Sequence, residues 1–206
     1  MRSLTSLLRC RIATALAASA AALVLWPSAP MAQATLEIRP IAEKKLKQLP
    51  AGPLYWRLET FATLEQAQRA AGATSLAAEV AGKAWLFTLA PKGSGPLSGS
   101  KVVEIGPIPT IAAPEYLLRV NHAGGPPGAK TPVHTHPGSE AFYVLAGRLG
   151  QRTPHGVSHA DAGQAINGHG ADMPMEVSSA GATDLSQIVL FVVDATRPFS
   201  SPAKFE

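Results

Sequence analysis

Gly128–Gly147 reads GAKTPVHTHPGSEAFYVLAG, and the spacing of its polar residues governs how the rest of the chain is read. On a β-strand, residues i and i+2 share a face, so His134 and His136 project together. Pro137-Gly138 then supplies a turn, and Glu140 opens the apolar run AFYVLA. If that run folds back beside the histidine strand, its carboxylate reaches the same space. Two imidazoles and a carboxylate suit a divalent ion such as iron, manganese, nickel or zinc. A histidine pair in a strand is usually surface or satisfied core. Glu140, with Gly128 and Gly147 bracketing the stretch, is what makes the pair a candidate site.

Residues 1–34 read as a secretory leader and stand outside the fold. Arg2, Arg9 and Arg11 form a basic start, Ile12–Trp26 is almost unbroken apolar sequence, and Pro27, Pro30 and Ala32-Gln33-Ala34 follow. That order predicts cleavage before Thr35 and export to the periplasm or medium of a bacterium. The apolar stretch is shorter than the ~20 residues a spanning helix needs, so no stable membrane span is expected after cleavage. Without the leader the chain keeps 15 Lys+Arg against 14 Asp+Glu, close to neutral. The densest basic stretch, Glu43–Lys47 (EKKLK), reads as the solvated face of a short helix, and nucleic acid is not an expected partner. Cys10 is the only cysteine and lies in the leader, so stability must come from a core without disulfides. The 172 residues from Thr35 onward can build one such core, and a single domain is expected.

Along the chain, Ile41–Leu49 is expected to be a short helix and Leu54–Phe61 (LYWRLETF) a strand. Thr63-Leu-Glu-Gln66 has capping-box form, predicting a helix closed by Gly72. Ser75–Ala81 is read the same way, with Gly82 as its stop, and Ala84–Leu89 as a short strand. Pro91–Ser100 is a loop by composition. From Lys101 the pattern turns all-β: 101–105, 115–120, 131–136, 140–146, 148–152, 164–167, 175–178 and 185–193 are strand candidates. Short runs divided by Gly and Pro suggest a sandwich or barrel. Leu145-Ala146-Gly147-Arg148 reads as a tight hairpin, and SQIVLFVV (186–193) as a central strand. His155 and His159 fall in an exposed hairpin connection, His122 in a loop, and Arg197–Glu206 in a tail. A nucleotide-binding glycine pattern, a Gly-x-Ser-x-Gly elbow and a second Cys/His set are all lacking.

The Gly128–Gly147 stretch matches the first motif of the cupin superfamily at every defined position, and about 101–195 resembles that superfamily. The resemblance implies a small antiparallel jelly-roll barrel whose second motif supplies a third histidine. Here that stretch runs Gly163 to Ser179. Counting back from Ser179 puts Met175 at the histidine position, while counting forward from Gly163 favours Met173 or Pro174. Three arrangements stay open. His134, His136 and Glu140 hold a metal with its other positions free; His169, between two glycines, swings in as fourth ligand; or Met175 fills the barrel mouth as an apolar lining residue.

The expectation is therefore an all-β cupin jelly-roll β-barrel at 101–196 with a small α/β N-terminal extension at 35–100 packed on it, and a tail at 197–206. Phe142, Val144 and Met175 would line the pocket. The resemblance implies a metal-dependent enzyme, dioxygenase- or isomerase-like, acting on a small hydrophobic or aromatic molecule. Its counterpart is a periplasmic cupin that binds a small molecule or metal without turnover. No catalytic residue is singled out, and homodimers follow from the resemblance alone.

Overall fold

The structure, a computed structural model, describes residues 34–95, 98–109 and 111–206. The expected leader and Cys10 lie outside the described residues, apart from Ala34. The chain begins with β1 (Glu37–Leu46), β2 (Leu54–Phe61), helix α1 (Leu64–Ala70), β3 (Ser75–Val80), β4 (Lys83–Pro91), β5 (Ser100–Ile105) and β6 (Tyr116–Gly125). It continues through β7 (His134–Thr135), β8 (Gly138–Ala146), β9 (Arg148–Thr153), β10 (Gly156–Asp161), β11 (Ala165–Asn167), β12 (Glu176–Ser179), β13 (Leu185–Asp194) and β14 (Ser201–Pro202). Among the described residues no helix is long and apolar enough to cross a membrane.

A five-stranded antiparallel sheet, β1-β6-β13-β8-β11, forms one wall. Its inner face meets β10-β9-β12 and the β14-β7 pair across a core containing Phe142, Val144, Leu149, Val177, Val189 and Phe191. Its outer face is covered by a second sheet, β3-β4-β2-β5, through Trp56, Phe87 and Trp85 packed with Leu118, Ile188 and Leu190. Strand β13 is thus buried on both sides. Ile188, Leu190 and Val192 face the outer core, while Val189, Phe191 and Val193 face the inner one. That is why its sequence is an unbroken apolar run and not an alternating one. The all-β barrel with an added N-terminal layer is the expected architecture.

Several elements differ from expectation. Ile41–Leu49 is not a helix: most of it belongs to β1, which pairs antiparallel with β6 and steps over a bulge between Pro40 and Ala42. Proline cannot donate to a ladder, so it sits where the pairing is interrupted. Ser75–Ala81 is not a helix either. β3 pairs with β4, and the connecting Ala81 (φ 49°) and Gly82 (φ 71°) form the left-handed pair that a two-residue hairpin requires. Thr63 does cap α1, its hydroxyl accepting from the Gln66 amide at 3.2 Å. Gly147 (φ 73°) makes the β8–β9 hairpin as read. The expected border at 100/101 does not separate the two sheets, since β1 belongs to the barrel wall and β5 to the outer layer.

Candidate functional site

The register of β6, β13 and β8 lays out the inner face in rows. Arg119, Phe191 and Glu140 form one; Asn121, Val189 and Phe142 the next; Ala123, Gln187 and Val144 the third. Below them, the two-residue strand β7 holds His134 against Pro202 on one side, and bridges to Met175 on the other. Together these elements line a cavity of about 460 Å³ that opens to solvent. His134, His136, Glu140 and Phe142 all line it; Val144 is buried in the same core without reaching the cavity, and Met175 stands behind the wall.

Glu140 is 2% exposed. Its Oε1 accepts from Gln151 Nε2 at 2.9 Å, and its Oε2 lies 4.0 Å from His136 Nε2. Gly168 packs against it: the Gly168 amide donates to the Glu140 carbonyl at 3.0 Å, and a Cβ there would fall 2.8 Å from Glu140 Cγ. Burial pushes the Glu140 carboxyl up to about 8, only partly offset by the Gln151 bond. Burial likewise lowers His136 to about 4, against the raising effect of its bond to Phe199. Between those values both groups are neutral, so their approach is an acid beside a free imidazole, not an ion pair.

Two backbone carbonyls fix the imidazoles. His136 Nδ1 donates to the Phe199 carbonyl at 2.6 Å, and His134 Nδ1 to the Pro132 carbonyl at 2.9 Å. With the proton on Nδ1, each Nε2 carries the lone pair. The His136 ring is further held between Phe191 and Phe199, with centroids 4.8 Å away in each case. His134 stands edge-on to it at 4.9 Å. The donor chemistry suits a divalent ion, but the placement does not complete a site. Among the described residues, no group of three or more His, Cys, Asp or Glu side chains is gathered to hold a metal. The three predicted ligands line one cavity, and His136 lies close to both Glu140 and His134, but the three do not converge on a point.

His169 is half-buried, its ring 6.2 Å from that of His155, and it does not line the cavity. His155 and His159 are exposed, His159 within β10, a strand the sequence reading passed over. His122 lies on the outer face and bonds Ser186 Oγ at 2.9 Å. Four contributors were not anticipated. Gln151 and Gln187 were legible in principle, each a polar residue sharing strand parity with buried neighbours, Leu149 and Val189. Arg119, bonded to Asn121 Oδ1 at 2.8 Å and packed 4.1 Å from the Phe199 ring centre, carries the same parity signal. Phe199, in the expected tail, carries none.

The chain is similar to a cupin-like protein of Thermotoga maritima (17% identity, 43% of this chain and 65% of that one, TM-score 0.38). It is similar also to a double-stranded β-helix protein of Klebsiella pneumoniae (19%, 42% and 75%, 0.37) and to the polyketide cyclase RemF of Streptomyces resistomycificus (21%, 43% and 62%, 0.35). The chain thus spans under two thirds of the Thermotoga protein and of RemF. No sequence-family profile matches it, and no curated protein is similar to it in sequence.

Proposed function

We propose that this chain is a small-molecule cupin that binds a small, largely apolar compound and presents a proton donor and acceptor to an oxygen function on it. One observation carries the reading. A cavity of about 460 Å³, walled by Phe142, Val189, Phe191 and Phe199, ends at a buried and neutral Glu140–His136 pair. Its size falls in the range of small-molecule sites, and such sites pair apolar walls with a few converging polar groups. Near neutral pH, Glu140 donates a hydrogen bond to a bound carbonyl oxygen, and the His136 Nε2 lone pair accepts a proton from the neighbouring carbon. That combination serves an isomerase-like proton transfer. The test is solvent-deuterium incorporation at the α-carbon of bound aryl ketones, followed by proton NMR. Exchange that is lost in both Glu140→Gln and His136→Ala supports the reading. Exchange no faster than in buffer leaves a binder without turnover.

A second reading is a divalent-metal centre. It is favoured by the Nδ1 bonds, which leave both Nε2 atoms as ligands, and it requires His134, His136 and Glu140 to draw together around one point. Iron, manganese, nickel or zinc retained by the purified protein, and lost in His134→Ala and Glu140→Ala, is its expected result. Metal-free preparations that bind ligand undiminished exclude it. Export of the mature chain and pairing of barrels complete the proposal; cell fractionation and sedimentation test them.

A further inference from the structure

Buried polar atoms in folded proteins nearly always find a hydrogen-bond partner, and one that does not points to an interaction still to be made. Among the described residues four buried side-chain atoms lack a partner: Ser139 Oγ, Gln151 Oε1, Ser179 Oγ and Gln187 Oε1. Only Gln187 belongs to a residue on the cavity wall. It is 1% exposed, so bulk water does not relieve its carbonyl oxygen. Its neighbours across the sheet are Ala123 and Val144, neither of which can supply a donor from its side chain.

Its position along the strand gives the missing partner a geometry. Gln187 and Phe191 point to the same face of β13, and Phe191 stands opposite Glu140. Four residues of extended strand separate the two levels by about 13 Å. Between them the inner face is Val189, Phe142 and Asn121, whose Oδ1 already accepts from Arg119 at 2.8 Å. The cavity therefore has a polar pole at Glu140 and His136, a mainly apolar middle in which the Asn121 carbonyl is already engaged, and a second pole at Gln187. The terminal torsion of glutamine is soft, so the carboxamide turns toward an incoming donor at little cost.

We propose that Gln187 is a second recognition subsite, and that the molecule held here is elongated, apolar in its middle, with a hydroxyl or N–H donor at the end remote from Glu140. This rests on the reading of the cavity as a ligand site and adds the far end of the ligand to it. A hydroxyl that satisfies the orphaned acceptor strengthens binding by about tenfold.

The experiment compares two rigid probes, 4-acetylbiphenyl and 4-acetyl-4′-hydroxybiphenyl, by titration calorimetry with the full-length protein. The expected result is that the hydroxylated probe binds about tenfold tighter to the native protein. Gln187→Met, close in volume, erases that preference, and Gln187→Glu, which keeps an acceptor, retains it. Equal affinity of both probes for the native protein overturns the subsite while leaving the cavity as a binding site. So does a preference that survives in Gln187→Met. If neither probe binds, the cavity reading falls and the subsite with it. Should Gln187→Met fail to fold, the comparison in the native protein and in Gln187→Glu still decides.

Discussion

Glu140 and His136 titrate in opposite directions, and the stability of the metal-free protein should record both. An unfolded glutamate ionises near 4.5 whereas Glu140 in the fold keeps its proton to about 8. Across that window the folded chain binds more protons, so stability falls as pH rises. His136 has the opposite effect: an unfolded histidine is protonated below 6.5, but this one stays neutral down to about 4, so stability rises with pH between those values. From about 4.5 to 6.5 the two slopes cancel, and from 6.5 to 8 only the loss from Glu140 remains, about 2 kcal/mol in all. Urea midpoints of chelator-treated protein should be flat and then decline, and Glu140→Gln should remove the decline. A second prediction concerns Gly168, where a methyl group would meet the Glu140 carbonyl oxygen at 2.6 Å. Gly168→Ala should lower the unfolding free energy from urea titration by about 1–3 kcal/mol and shift the Glu140 titration seen by NMR. The residues of the HxH-x3-E pattern were legible because a strand places i and i+2 on one face. The partners that tune them were not, because Gln151 and the Phe199 carbonyl arrive from distant sequence and only tertiary pairing brings them in.

Short elements are where local signals competed with the sheet. Ser75–Ala81 has good helix formers, but Leu76, Ala78 and Val80 are buried in alternation and Ser75 Oγ meets Thr88 Oγ1 at 3.0 Å across the ladder. The strand wins because β4 offers a partner and an apolar surface, which outweighs propensity. The same holds for β1: Glu43 and Lys45 are exposed while Lys44 and Leu46 are half-buried, a period of two that the charge run concealed. The β3–β4 turn yields a test. Ala81 adopts a left-handed conformation that costs a residue with a Cβ about 1 kcal/mol. Ala81→Asn, the residue preferred in such turns, should raise the unfolding free energy from urea titration by roughly 0.5–1 kcal/mol. A loss of stability would mean that the turn differs from the one described.

For the molecule as a whole, β13 joins two cores back to back, so neither layer is an independent unit. A shortened chain starting at Lys101 would expose Leu118, Val120, Ile188, Leu190 and Val192 and leave the β6 edge unpaired. Such a surface promotes aggregation. Size-exclusion chromatography should show it eluting as large assemblies, and a soluble folded monomer would refute this picture. Leu190→Ala should likewise destabilise the full chain by about 2–5 kcal/mol in urea titrations. The same closure links the C-terminal segment to the chemistry, since the group that orients His136 is the main-chain oxygen of Phe199. An alanine scan is blind to such a contact, because every substituted side chain leaves the peptide oxygen in place. Semisynthesis with an ester in place of the Phe199–Ser200 amide would weaken that acceptor, at the cost of the Ser200 N–H, and loosen the imidazole without altering any side chain.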